Sequence, residues 1–385
     1  MKGISGIYKD MDKPLLFSTI GLFIFGLFNI VTASSSEAVE RYGVSIFYYF
    51  SKQLIILGAG FIACLFILRT NTKKYKQIFT LCFLGIGTLL VYLLLYGSLN
   101  RGAKNWISIM GFTFQPSEFA KPIIIVCLAL IFDKYYKFLR NKNLKHYNVI
   151  GLILFVGLMI PAIIFLQKDL GTMLIIVAIF FVMFFASPIL KQEKIKVIGL
   201  LAVLFLFAIL IMKSVTGHVL SEAQMARFNY FNPCSNYETG GYQICNGFIA
   251  INNGGLLGSG IGNSKQKYSY IPEPHTDMVF SIIAEEQGFL KGTLILIAMF
   301  YVVYKILKIS ANASTIRGKY ICLGVATYIF MHMLVNLGGL FALIPLTGVP
   351  LPFLSYGGSF TLSLIISLSI VQRVNIETRR KLIKV

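Results

Sequence analysis

The sequence predicts an all-α integral membrane protein of about ten transmembrane helices, with a long, partly ordered extracytoplasmic loop. Three observations predict it. Of 385 residues, 56% are hydrophobic and only 13% charged, about half the charge of a soluble domain, and the mean hydropathy is +0.76. Apolar runs of about 20 residues, the length that crosses a hydrocarbon core of about 30 Å, recur along the chain. The basic residues between those runs alternate in density.

The runs fall at about 14–33, 46–68, 77–97, 116–132, 148–166, 170–187, 195–215, 279–304, 320–343 and 355–372. The first follows a basic start and precedes Ala33-Ser34, as a signal peptide would. It is longer than the roughly 7–15 residues of a signal h-region, so it is expected to remain as the first helix. No Pro/Ser-rich or low-complexity linker divides the series, so residues 1–385 are expected to form one polytopic domain.

With the N-terminus inside and the helices alternating, the inward segments are the N-tail, 69–76, 133–147, 188–196, 305–319 and the C-tail. They hold 24 of the 35 Lys and Arg residues. Short basic loops set orientation, so both termini are expected in the cytoplasm. The net charge of +20 therefore marks a cytoplasmic face and its anionic lipids, and no nucleic-acid partner is expected.

Cys64, Cys82, Cys127 and Cys322 lie in apolar runs and read as small buried hydrophobes. Cys234 and Cys245 lie in a polar loop. The absence of CxxC or a Cys/His cluster speaks against a structural metal site. Among 15 acids, Glu118, Asp169, Asp277, Glu285 and Glu286 sit at helix ends on the outward half. Ionisable groups at such depth are costly and are functional suspects, unless they pair with cations or cap helices.

The outward loop of about 216–278 far exceeds its neighbours, and long loops in compact proteins are usually functional or disordered. Tyr, Phe and Ile throughout it argue for order, and 244–257 is apolar enough for a short interfacial or re-entrant helix. Within it, Gly254-Gly255-Leu256-Leu257-Gly258-Ser259-Gly260-Ile261-Gly262 lacks the strand, βαβ unit and Lys-Ser/Thr of a nucleotide loop. These glycines permit tight turns and close backbone approach, or an anion nest of N–H groups. Arg227, Lys265 and Lys267 flank them, and Arg101 and Lys104 lie in another outward loop beside the single Trp106. Cations gathered against the positive-inside trend point to an anionic ligand, the alternative being solvated or snorkelling side chains.

Pro272-Glu273-Pro274-His275-Thr276-Asp277 leads into the eighth helix. Thr276 is expected to cap that helix with Asp277 in its first turn, where the macrodipole favours the carboxylate. Such a carboxylate suits a cap as well as a base. Gln115-Pro116-Ser117-Glu118-Phe119-Ala120-Lys121 opens the fourth helix, and Glu118 and Lys121, three apart, share a face and can pair.

In this order and on these loops, the segments resemble the SEDS family, the polytopic peptidoglycan glycosyltransferases of the RodA and FtsW type. The likeness spans nearly the whole chain. It is carried by Arg101-Gly102-Ala103-Lys104-Asn105-Trp106-Ile107, residues 115–121, Asp169-Leu170-Gly171-Thr172, the glycine-rich stretch with Asn263-Ser264-Lys265-Gln266-Lys267, and residues 272–277. Near the end, Thr347-Gly348-Val349-Pro350-Leu351-Pro352-Phe353 and Ser355-Tyr356-Gly357-Gly358-Ser359 complete it.

The resemblance implies ten helices in a bacterial cell membrane, an outward active site and lipid II as substrate. It implies that Asp277 is catalytic, with Glu118 and Lys121 a supporting pair. In the resembling enzymes a sugar hydroxyl of lipid II attacks the anomeric carbon of a chain held on undecaprenyl pyrophosphate. A carboxylate takes the hydroxyl proton and cations stabilise the departing pyrophosphate. Asp277 fits the first role; Arg101, Lys104, Arg227, Lys265, Lys267 and His275 are candidates for binding pyrophosphate or sugar. A class B penicillin-binding protein is the implied partner. No cofactor is demanded; a pyrophosphate site can use Mg²⁺, though no carboxylate cluster requires one.

The chain departs from the family pattern at three places. Lys168 stands where many relatives have proline, and Met278 where an aromatic residue is usual. Cys234 and Cys245 are additional, would face the oxidising side, and can close a disulfide worth about 2–3 kcal/mol. Residues 262–267 look division-type and 348–352 elongation-type, so the cellular role stays open. The rival class is a flippase or transporter of lipid II or another lipid-linked precursor. Intramembrane acids suit that class too, but no inverted repeat or pair of broken helices supports it.

Overall fold

A computed structural model describes residues 4–97, 103–109, 112–216, 232–235, 237–239, 241–268 and 270–382. Among them, ten long helices occupy the ten predicted positions. They are α1 (Lys13–Ser36), α2 (Tyr48–Arg69), α3 (Tyr75–Tyr96), α4 (Pro116–Lys134), α5 (Tyr147–Leu166), α6 (Leu170–Ala186), α7 (Lys191–Thr216), α8 (Val279–Ala311), α9 (Ile316–Leu340) and α10 (Gly358–Leu382). Seven of the ten, namely α1, α2, α3, α5, α8, α9 and α10, are long and apolar enough to cross a membrane on those criteria alone. α4 carries Glu118, Lys121, Asp133 and Lys134 within 19 residues, and α6 has only 17.

Local chemistry sets the helix starts. Asp12 caps α1 by accepting from Leu15 N at 2.9 Å, with Pro14 in the first turn. Thr315 caps α9 by accepting from Gly318 N at 3.1 Å. Each cap satisfies an N–H that the helix itself leaves unpaired. α10 runs on past the predicted 372 to Leu382, so much of the expected C-tail is helical.

The interior is built around α4 and α9. α4 packs on α3, α5, α9 and α10, while α9 packs on α4, α6, α8 and α10. Ile124, Ile125, Leu128 and Ala129 of α4 are fully buried, as expected of its middle stretch 122–132, which is apolar on all sides. At the periphery Ile55, Phe61, Ile62 and Phe66 of α2, and Val203, Leu206, Phe207 and Leu210 of α7, are exposed. On a spanning helix such side chains meet hydrocarbon, where burial in protein is not needed.

Part of the long loop is helical. A loop helix at Tyr242–Gly254 packs on α8, slightly earlier than the predicted 244–257. Cys234 and Cys245 form a disulfide with Cα atoms 4.9 Å apart, joining the preceding segment to the first turn of that helix. α8 itself breaks at Gly288, where φ is 79° and ψ 174°, a conformation open essentially to glycine alone. There the glycine-rich stretch lies against the broken helix: Ser259 N donates to Glu285 O at 2.9 Å, Gly260 N to Glu286 O at 3.0 Å, and Phe289 N to Gly255 O at 2.9 Å. A Cβ on Gly258 or Gly288 would fall on the facing backbone. Close approach is thus what these glycines provide. The N–H groups of Ser259 and Gly260 are spent inside the protein, which removes them from any anion nest.

The two ends of the bundle differ. At one end Lys305 pairs with Asp12 (3.2 Å), Arg317 with Asp133 (3.3 Å), Arg373 with Glu377 (3.0 Å) and Arg380 with Asp10 (2.6 Å). Apart from Arg373–Glu377, which lies within α10, these bonds tie together the starts of α1 and α9 and the ends of α4, α8 and α10. At the opposite end the loops enclose a cavity.

Candidate active site

Four loop elements converge on that cavity of about 580 Å³, a size suited to a bound small molecule or headgroup. An antiparallel hairpin of β1 (Ile107–Ile109) and β2 (Phe112–Phe114) pairs Ile107 with Phe114 and Ser108 with Thr113. It delivers Gln115 and the start of α4. The corner 168–172 between α5 and α6, the turn 272–277 before α8, and the strap 345–350 after α9 supply the other walls.

Asp277 lines the cavity. The expected cap does not form: the N-cap of α8 is Met278 and makes no side-chain cap bond, so Asp277 precedes the first helical turn. The reason lies in the turn itself. Thr276 N donates to Glu273 O at 3.0 Å, and the Thr276 hydroxyl contacts both Glu273 O (2.7 Å) and Asp277 Oδ1 (3.1 Å). That turn carries the chain to Met278 before the helix begins, so Thr276 does not occupy the cap position. Across the cavity Gly348 has φ 69°, and a Cβ there would stand 3.8 Å from Asp277 Oδ2.

Glu118 and Lys121 are paired as the spacing predicts, Nζ to Oε1 at 2.7 Å, with both residues almost fully buried. Glu118 faces the cavity from the first turn of α4. Lys121 Nζ also lies 2.9 Å from His332 Nε2, and His332 Nδ1 lies 3.1 Å from Pro350 O. A carbonyl only accepts, so Nδ1 carries the proton and Nε2 accepts from Lys121. One turn along α9, Asn336 Nδ2 donates to Asp277 O at 2.7 Å and to Val349 O at 2.8 Å. Neither His332 nor Asn336 was among the residues read as functional from sequence. The available signal was two polar side chains four apart in an apolar helix, hence on one face.

Asp169 organises the other wall. Its Oδ2 accepts from Asn105 Nδ2 (2.8 Å), Gln115 Nε2 (3.0 Å) and Thr172 Oγ1 (3.0 Å), while Oδ1 caps α6 through Thr172 N at 3.1 Å. Beside it Lys168 has φ 66°, a left-handed value closed to proline. Lys168 is exposed and, with Arg41, supplies the cations among the described cavity residues.

The predicted binding cations are distributed differently. Arg101 and Arg227 lie outside the described residues. Lys104 stands near the corner, its N donating to Gln167 O at 3.2 Å and its Nζ to Leu94 O at 3.4 Å. Lys265 is exposed and gives its backbone N–H to Glu285 at 3.2 Å. Lys267 is buried in an ion pair with Glu286 at 3.2 Å and bonds Gly262 O. A buried, compensated ammonium is not available to a pyrophosphate, so its expected role is corrected to holding the loop. Glu285 likewise accepts from the Ser264 hydroxyl and from Gln266 N (3.3 Å), so these two acids organise the loop.

His275 is also corrected, from ligand binding to packing. It is buried between the rings of Tyr49 and Tyr356, with centroids 4.2 and 5.4 Å away, and its Nδ1 is 3.4 Å from Glu37 Oε2. Burial, with a smaller contribution from Tyr48, pushes the Tyr356 phenol up to about 12, so it stays neutral beside the imidazole. Among the described residues no group of three His, Cys, Asp or Glu is placed to hold a metal ion.

The model of the FtsW/RodA/SpoVE cell cycle protein family matches residues 13–380 of this chain. The chain is similar to the probable peptidoglycan glycosyltransferase FtsW of Bacillus subtilis (strain 168), 33% identical over 377 residues, 95% of this chain and 91% of that protein. It is equally similar to stage V sporulation protein E of the same organism, 33% identical over 379 residues, 96% of this chain and 98% of that one. In three dimensions it resembles a chain of a peptidoglycan synthase complex that coordinates polymerization and crosslinking, with TM-score 0.73, 22% identity and 96% and 98% coverage. It also resembles the rod shape determining protein RodA of Thermus thermophilus, with TM-score 0.65, 22% identity and 95% and 96% coverage.

Proposed function

The chain belongs to the FtsW/RodA/SpoVE family, and from that premise we propose that it is a peptidoglycan glycosyltransferase polymerising lipid II at the outer face of the cytoplasmic membrane. The observation that carries this reading is the shared cavity: Asp277 and Glu118 line one chamber at the end of the bundle opposite the basic loops. In this reading residues 1–385 act as one membrane domain with both termini in the cytoplasm.

Asp277 is the general base. It takes the proton of the attacking sugar hydroxyl as that oxygen bonds the anomeric carbon and the bond to pyrophosphate breaks. A single displacement inverts the α-linked donor and gives a β-linked glycan. The Glu118–Lys121 pair supports the chamber beside the base. Lys168 and Arg41 at the cavity, with Arg101, Arg227 and Lys104, supply positive charge for the leaving pyrophosphate. The polyprenyl tails run between helices in the bilayer, which is where a bundle offers apolar grooves. A class B penicillin-binding protein that crosslinks the product is the expected partner.

The test is polymerisation by purified protein, with a partner transpeptidase where needed, given lipid II in detergent. Wild type is expected to yield glycan strands and Asp277→Asn none at equal expression. Normal polymer from the variant would remove Asp277 from the mechanism. No polymer from a well-folded wild-type complex would turn the reading towards transport of the lipid-linked precursor.

A further inference from the structure

Two buried side chains on α9 touch both halves of the chamber without lining it. His332 is fully buried and Asn336 2% exposed. His332 accepts from Lys121 at 2.9 Å and donates to Pro350 O at 3.1 Å. Asn336 spends its amide protons on Val349 O and Asp277 O. Both therefore grip the same strap, at neighbouring carbonyls, and each also holds one of the two acidic centres. Residues 345–350 form neither helix nor strand, so this strap has no ladder of its own to fix it.

We propose that His332 and Asn336 are positioning residues that clamp the strap 347–350 to α9 and thereby set the Asp277 carboxylate in register with the Glu118–Lys121 pair. The proposal rests on the reading of Asp277 as general base. Asp277 sits in a turn ahead of α8 and the pair sits in α4, far apart in sequence. Without a common support, small movements of the turn and of the strap would change the distance between base and pair. A misplacement of about 1 Å costs on the order of 100-fold in rate, so a rigid mount has a direct kinetic consequence. Gly348 lies inside the clamped segment and faces the Asp277 carboxylate closely enough that an added Cβ would stand 3.8 Å from Oδ2, so the position of the strap bounds the space open to the carboxylate.

The test uses the full chain in detergent or nanodiscs, with lipid II and kinetics normalised to folded protein. Asn336→Leu is expected to lower kcat on the order of 100-fold and to leave KM within about threefold, because an interaction serving the transition state alone has been lost. Two variants of the other side chain separate its two bonds. His332→Asn retains a donor near the Nδ1 position and keeps the strap; His332→Gln retains an acceptor near the Nε2 position and keeps Lys121 but loses the strap. His332→Asn is expected to keep more kcat than His332→Gln. Combining Asn336→Leu with His332→Gln is expected to give less than the product of the separate losses, since both release one strap.

Unchanged kcat per folded molecule, with only the yield of folded protein reduced, would leave the two residues a merely structural role and overturn the proposal. The opposite order of the His332 variants, or losses that multiply in full, would also overturn it. Normal polymerisation by Asp277→Asn would instead defeat the general-base reading on which the proposal stands. An inactive Asp277→Asn beside a fully active Asn336→Leu would defeat the clamp alone.

Discussion

The two ends of the bundle hold acids differently: the pairs named at the basic end are all with cations, whereas the cavity end joins cation pairs such as Glu118–Lys121 and Glu286–Lys267 to a carboxylate held by neutral donors. At the basic end Asp10, Asp12, Asp133 and Glu377 each meet a Lys or Arg within 3.3 Å. At the cavity end Asp169 is held chiefly by neutral donors, the amides of Asn105 and Gln115 and the hydroxyl of Thr172. Glu118 is paired through Oε1, while its Oε2 has no hydrogen-bond partner among the described residues. Cation pairing neutralises a carboxylate and fastens helices together. Neutral donors fix its orientation and leave its charge in the chamber. In the proposed reading the first arrangement serves assembly and the second serves the chemistry of the chamber.

Five perturbations sharpen this contrast, the double variant taken beside its parent and the others from the largest expected loss of stability to the smallest. Lys121→Met strands a buried carboxylate at Glu118 and is expected to destabilise the protein by about 3–5 kcal/mol, read as a large fall in the unfolding midpoint in detergent. Glu118→Gln combined with Lys121→Met removes both charges. It should recover most of that stability while polymerisation stays low, which separates packing from chemistry at one pair. Gly288→Ala forces a side chain into a conformation reserved for glycine and onto the backbone of Gly258. A loss of about 3 kcal/mol is expected, with faster proteolysis of the 254–267 loop.

Reduction of Cys234–Cys245 closes the list at the cavity end, with about 2 kcal/mol lost; mass spectrometry without reduction should find no free thiol at either position. At the basic end Lys305→Ala removes one partly exposed partner of Asp12. The midpoint should fall by less than about 1 kcal/mol equivalent and polymerisation should be unchanged. A loss of polymerisation there at normal stability would break the division of labour between the two ends.

Much of this was legible in the sequence, for physical reasons. A helix must show about 20 apolar residues to span, so all ten helix positions could be read directly. Asp277 and Glu118 were legible because ionised groups at helix ends in an apolar chain are rare, and Glu118–Lys121 because three-residue spacing fixes a shared face. What was not legible depends on partners distant in sequence. Lys267 reads as a free cation until Glu286, nineteen residues on, is brought against it by the break at Gly288. His275 reads as a ligand-binding group until Tyr49, Glu37 and Tyr356 enclose it. Thr276 has the composition of a helix cap, but the turn it closes carries the cap position on to Met278. His332 and Asn336 look like isolated polar interruptions of an apolar helix, because the strap they hold lies beyond the helix end.

The central claim is that Asp277 performs chemistry in a chamber built by its neighbours. The most direct measurement is lipid II binding and single-turnover polymerisation by Asp277→Asn beside wild type in the same nanodiscs. Binding within about threefold of wild type is expected, with the rate of glycosidic bond formation lower by at least about 100-fold, the range lost with a general base. A variant that binds normally and polymerises at the wild-type rate would contradict the account.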